Sequence, residues 1–155
     1  MTGFLLDTNI LSELRRSKPE PKVLAFVGAQ PLETLFVSSV TFAEIRFGIE
    51  LIADVHKRAA LTEWLDLQLR PMFESRVLPV SEDVMFKWRL RVEEGRKVGH
   101  TFPQPDLIIA ATALHHGLTI VSRDTAGYAK TGVPLVNPWE QESPAPLRSP
   151  KPLGK

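Results

Sequence analysis

Four acidic residues stand where short apolar runs end or where helical patterns begin: Asp7 in "FLLDTN", Glu44 in "SSVTFAEIRFG", Asp106 in "PDLIIAATALHHG" and Asp124 in "IVSRDT". They lie 37, 62 and 18 residues apart, so only the fold can bring them together. Two like charges about 4 Å apart repel by about 1 kcal/mol in water and by about 4 kcal/mol at an effective dielectric of about 20. A cluster of carboxylates therefore needs a shared proton or a cation. All-oxygen ligands favour Mg2+ or Mn2+ over zinc. With one or two such ions the typical chemistry is phosphodiester hydrolysis, in which a bound water is acidified and charge developing on the phosphate is neutralised. Taken singly, each acid has a plainer use. Asp7 could open an Asx-turn or cap a helix, Thr41-x-x-Glu44 matches a capping box, Asp106 after Pro105 suits the positive end of a helix, and Asp124 before Thr125 suits a turn. Four independent caps have no reason to share one edge of one sheet, which favours the joint chemical reading.

The elements that must deliver these acids alternate through residue 139 as short apolar runs and amphipathic stretches. That is the βαβα pattern of a mainly parallel sheet of four or five strands with helices on both faces. "FLLD" reads as the first strand; residues 9–16 form a short helix stopped by Pro19 and Pro21, and "KVLAFVGAQ" forms another. "LFVSS" (35–39) is the second strand, followed by a helix over 41–52 and a longer one over 55–69 ended by Pro71. "RVLPV" (76–80) is the third strand. Ser81 caps a helix reaching residue 98, with Glu82 and Asp83 in its first turn and Gly99 past its end. The loop "HTFPQP" leads to the helix "DLIIAATALHH", closed by Gly117; "LTIVS" (118–122) is the fourth strand and "VPLVNP" (133–138) a fifth at the edge. Ligands of open α/β sheets bind beyond the carboxyl ends of the strands. Asp7 ends strand one, Asp124 follows strand four, Glu44 falls in the first turn after strand two and Asp106 begins its helix, so all four face one rim.

The bulk numbers bound the rest. A length of 155 residues fits one domain, and 43% hydrophobic with 24% charged residues is ordinary globular composition. The net charge of +1 gives no prior for nucleic acid or membrane, so contact with a polyanion must come from local patches. The absence of cysteine excludes disulfides, thiolate catalysis and zinc–thiolate sites. No apolar run approaches the roughly 18 residues of a membrane span, and no signal peptide is evident, so a cytoplasmic protein is expected. The last sixteen residues, 140–155, hold four prolines and few large apolar side chains, which reads as a disordered tail.

Taken in order, "LLDTN", "SSVTFAEIRFG", "PDLIIAATALHHGLTIVSRD" and "VNPW" resemble the PIN-domain family, in particular toxin ribonucleases of the VapC and FitB type; the likeness spans about residues 4–139. The resemblance implies the PIN three-layer sandwich and a Mg2+- or Mn2+-dependent endoribonuclease whose catalytic acids are Asp7, Glu44, Asp106 and Asp124. Of these, Asp7 and Asp106 would be the firmest metal ligands. It places Thr8 beside the first acid, lets Asn9 orient Asp7, and matches Tyr128 to an aromatic position after the last acid. It also implies a homodimer, and a cognate antitoxin that blocks the site with a basic side chain and carries any contact with DNA. The proline-rich tail departs from the family pattern.

An acidic site repels its own polyanionic substrate, so basic residues must flank it. Candidates are Arg15, Arg16 and Lys18 after the first helix, Arg46 near Glu44, Arg89, Arg91, Arg96 and Lys97 on the long helix, and Arg123 beside Asp124 and Thr125. His100 and Phe102 could contact a base, whereas His115 and His116 suit the dipole at their helix end. The stretch "FAEIRFGIELI" carries Phe42, Ile45, Phe47, Ile49 and Ile52 on more than one side, enough for a neighbouring helix or a second copy. Two other functions compete. A phosphotransferase using Asp7 as nucleophile usually needs a second acid two residues on, where this chain has Asn9. An inert co-repressor, acting on DNA through its antitoxin, would be expected to have lost an acid, and all four are present.

Overall fold

The computed structural model describes residues 3–101 and 104–141. Five short strands, β1 (Phe4–Leu6), β2 (Leu35–Ser38), β3 (Val77–Leu78), β4 (Thr119–Val121) and β5 (Leu135–Val136), form one sheet in the order β3-β2-β1-β4-β5. Every pairing is parallel, so all carboxyl ends share one edge. The strand order reverses at β1, whose neighbours are β2 and β4. The crevice beyond its end is the switch point at which doubly wound sheets bind ligands.

Alternation along the strands separates two apolar layers. Leu6, Val37 and Val121 point into a core closed by Ile10 and Leu11 of α1 (Thr8–Arg15), Val23 of α2 (Pro21–Gly28), Phe42 and Ile49 of α3 (Ser39–Glu50) and Leu61 of α4 (Val55–Glu63). Leu5 and Ile120 point the other way, against Ile109, Ala110 and Ala113 of α7 (Gln104–His116) and Tyr128 of α8 (Thr125–Tyr128). Helices thus cover both faces in three layers, as the sequence predicts. The long helix α6 (Glu82–Lys97) is capped by Ser81, whose Oγ accepts from the Val84 N–H, and it packs along α7. It ends at Gly99, whose φ of 71° allows the His100 N–H to reach the Gly95 carbonyl at 2.8 Å. Gly117, at φ 66°, closes α7 in the same way, with the Leu118 N–H on the Ala113 carbonyl.

Three expectations change. Helix α3 begins at Ser39, with Ser38 as its cap, so Glu44 sits in the second turn and the Thr41–Glu44 capping box does not form. Thr41 Oγ1 is buried without a hydrogen-bond partner. Pro71 does not end the helix that begins at Val55. The chain passes through a π-helical stretch (Trp64–Leu69), with the Arg70 N–H on the Leu65 carbonyl, into a last turn, α5 (Arg70–Met72). The wider turn relieves the clash that a proline ring makes with the carbonyl four residues back. Of the apolar residues of this stretch, Phe42 and Ile49 on α3 are buried, and Ile45 and, just past the helix, Ile52 pack on the same core, whereas Phe47 stays 65% exposed. Phe102 and the tail from residue 142 lie outside the described residues.

Candidate active site

Asp7 emerges one residue beyond β1, with its N–H on the Val121 carbonyl at 3.0 Å, and becomes the cap of α1. Its side chain is 6% exposed and satisfied on both oxygens. Oδ1 accepts from the Thr8 N–H at 2.9 Å. Oδ2 accepts from Ser122 Oγ at 2.8 Å and from Tyr128 OH at 3.0 Å. The cap reading of Asp7 and its place in an acidic cluster are therefore both realised. Ser122 is a junction: its Oγ also accepts from Asn9 Nδ2 and from the Asp124 N–H, each at 3.0 Å. Asn9 in turn accepts the Arg123 N–H at 3.1 Å, so it acts on Asp7 one bond removed.

The other acids arrive from three elements. Glu44, on α3, accepts from Thr8 Oγ1 at 3.3 Å. Asp124 caps α8 through the Gly127 N–H at 3.0 Å, and the Thr125 N–H bonds to the Arg123 carbonyl. Asp106, in the first turn of α7, meets Asp124 beside Gly127. Gly127 permits this meeting, because a Cβ there would stand 2.6 Å from both Asp106 Oδ2 and Asp124 Oδ2. Together with Arg123, Thr8, Asn9, Ser12, Glu13, Arg16 and Trp139, the four acids line one cleft of about 600 Å³.

The charges are strained by proximity. Burial, the nearby Asp124 carboxyl and the fields of Asp7 and Glu44 push the Asp106 carboxyl up to about 7. Burial and Asp7 also raise Glu44, against the opposing bond from Thr8. The Tyr128 hydroxyl, buried against Asp7 and Asp106, is raised and stays a donor. Glu13 at the cleft wall is held low by the Glu20 N–H at 2.9 Å and by Arg16.

These residues fit a hard divalent cation. The donors are all oxygen, and at neutral pH the cluster holds a carboxyl that a cation could deprotonate. Among the described residues no three acids close into a ready ligand cage.

Most of the other basic candidates lie elsewhere. Arg46 lines a depression with Glu50 and Asp66. Arg91 and Arg96 pair with Glu94 at 2.9 Å and Glu93 at 2.6 Å along α6, where Lys97 is the last residue. Arg89 and His100 border a separate hollow beside Trp88. Sequence reasoning missed the parts played by Ser122, Gly127 and the Tyr128 hydroxyl. The signal for Ser122 is register: Leu6 pairs with Val121, so the residues that follow, Asp7 and Ser122, stand side by side.

With this geometry the comparisons agree. The PIN domain model matches residues 4–133. The chain is 35% identical over 137 residues to VapC ribonuclease Y4jK of Sinorhizobium fredii, covering 88% of this chain and 98% of the relative. It is 36% identical over 136 residues to Toxin FitB of Neisseria gonorrhoeae, covering 88% and 98%. A solved structure of FitAB bound to the IR36 DNA fragment superposes with a TM-score of 0.83 at 34% identity, over 90% of this chain and 97% of that one. A match of this extent, on a parallel sheet whose switch point gathers four carboxylates, means that the chain belongs to the PIN domain family, among the toxins of VapC and FitB type.

Proposed function

We propose that this protein is a Mg2+- or Mn2+-dependent endoribonuclease and the toxin of a toxin–antitoxin pair. The observation that carries the reading is the convergence of Asp7, Glu44, Asp106 and Asp124 on one cleft, with Asp106 pushed up to about 7. The relatives with printed activities are a ribonuclease and a toxin. When bound, the divalent ion would acidify a water and neutralise charge on the scissile phosphate.

The chain's own groups would do the rest. Asp7, fixed by Ser122 and Tyr128, presents Oδ1 with a lone pair beyond its bond to Thr8. Glu44, raised by burial and by the field of Asp7, is the group suited to take a proton from the attacking water, whereas Asp106 would help Asp7 hold the ion. Hydrolysis would then form one P–O bond to the water oxygen and break the P–O bond to the leaving ribose oxygen, which takes up the proton that the water gave up. The expected partners are a cognate antitoxin, which would cover this cleft and carry contact with DNA, and a second copy of the chain. Among the described residues no helix is long and apolar enough to cross a membrane.

The test is cleavage of a pool of structured RNAs by the antitoxin-free protein, with Mg2+, with Mn2+ and with EDTA. Asp7→Asn is the control for contaminating nuclease. Discrete cuts that need the metal and vanish in the variant are expected. A folded protein that cuts nothing with either metal would contradict the reading.

A further inference from the structure

Arg123 and Trp139 form a stacked pair on the wall of the carboxylate cleft that hydrolysis itself leaves unused. The Arg123 guanidinium carbon lies 5.2 Å over the Trp139 ring, and both side chains line the cleft. Both ends of the pair are anchored. The Arg123 N–H is bound by Asn9 Oδ1 at 3.1 Å. The Trp139 N–H is bound by Asn137 Oδ1 at 3.0 Å, and the half-buried ring packs on the core beneath α2.

A guanidinium beside four acids would ordinarily pair with one. Among the described residues Arg123 makes no ion pair, whereas Arg16, the other arginine of the cleft, is engaged with Glu13 at 3.3 Å. The guanidinium stands over the indole, and among the described residues its N–H groups make no hydrogen bond to the protein. A planar guanidinium fork matches two phosphate oxygens, and confining it over the ring in advance removes part of the entropy cost of binding.

We propose that Arg123, held over the Trp139 ring, is a subsite for a backbone phosphate of single-stranded RNA next to the one that is cut. This rests on the ribonuclease reading above. The pair supplies the cationic wall that an acidic cleft needs to retain a polyanion.

The test is fluorescence anisotropy with a 5′-labelled single-stranded RNA in EDTA, read across salt concentration, with Mg2+-dependent cleavage measured in parallel. Arg123→Gln is expected to weaken binding about tenfold and to flatten the slope of log affinity against log salt by about 0.7, the loss of one single-strand phosphate contact. Trp139→Leu should weaken binding although it changes no charge, and the double variant should be no worse than Arg123→Gln alone. Trp139→Phe, which keeps an aromatic face, should bind nearly as the wild type does. Thermal melts check that each variant folds. Arg123→Lys keeps the charge without the planar fork and reads the geometry independently of position 139: it should keep the salt slope but lose affinity. Wild-type affinity in Arg123→Gln, or additive losses in the double variant, would overturn the subsite while Mg2+-dependent cleavage kept the nuclease reading. If the wild type neither bound nor cut RNA, both would fall.

Discussion

Asp7 accepts three hydrogen bonds within the fold, from the Thr8 N–H, Ser122 Oγ and Tyr128 OH. Two of these donors act on Oδ2, so the carboxylate is aimed before any ligand arrives. Tyr128→Phe removes one donor and keeps the buried ring, so cleavage should fall about tenfold while stability changes by about 1 kcal/mol, as expected for one hydrogen bond. Parallel kinetics and urea titration check both numbers, and wild-type turnover in Tyr128→Phe would mean that Ser122 alone sets the orientation. Asp7→Asn should fold. An amide can still accept from Ser122 and Tyr128, and it loses one cap bond of about 1 kcal/mol while relieving repulsion. The positions of Asp7, Asp106 and Asp124 were legible because each stands where an apolar run ends or a helix begins, whereas Glu44 lies a turn deeper in α3 than its motif suggested. Gly127 was not, since nothing in "RDTAGY" says that two carboxylates will crowd its α-carbon.

At the level of the element, "VSSVT" offers three hydroxyls that could cap α3, and periodicity alone pointed to Thr41. The end of β2 decides instead. Ser38 is the last extended residue, and its Oγ accepts from the Val40 N–H at 3.1 Å. Ser38→Ala should therefore cost about 1 kcal/mol of unfolding free energy, as loss of a cap does. Thr41→Val should cost nothing or stabilise, because it replaces a buried hydroxyl that has no partner. Chemical denaturation of the two variants distinguishes this arrangement from a capping box, which would reverse their order. The strands and most helices were readable from alternation, proline and glycine. The π-helical passage before Pro71 was not, because it resolves a steric conflict that residue types show only as a stop signal. Arg76 is a second feature without a local signal: it stacks on Phe73 at 5.4 Å and donates to the carbonyls of Leu32, Leu35 and Met72. It ties the entry of β3 to β2, and Arg76→Ala should cost about 2 kcal/mol by the worth of charge-assisted hydrogen bonds, read from the same denaturation curves.

For the molecule as a whole, the reversal of strand order at β1 converts four acids scattered through the sequence into one site. The near-neutral total of +1 conceals a cleft whose own acids repel one another. The Asp106 carboxyl is raised from 3.8 to about 7, so protonation stabilises the fold fully below about pH 4, and that contribution is lost as pH rises through about 7. Glu44 is raised in the same direction. The melting temperature of the cation-free protein should thus fall between pH 4 and pH 7 more steeply in the wild type than in Asp106→Asn, by differential scanning fluorimetry in EDTA. Excess Mg2+ or Mn2+ above that range should restore part of the loss in the wild type and less in the variant. The parallel sheet, its two covered faces and the shared rim were legible in the sequence. The internal wiring of the rim was not, because the Ser122, Tyr128 and Asn9 contacts depend on register and on helix α8 folding back over β1.

The most direct measurement is Mn2+-dependent cleavage of one RNA substrate by the wild type and by four single variants, Asp7→Asn, Glu44→Gln, Asp106→Asn and Asp124→Asn, each first shown to fold. A site in which the four carboxylates act together predicts that every variant loses about 100-fold or more in rate, the scale expected when one group of an electrostatic catalytic cluster is removed. Wild-type rates in any of the four, or undiminished cutting by the wild type in EDTA, would contradict it.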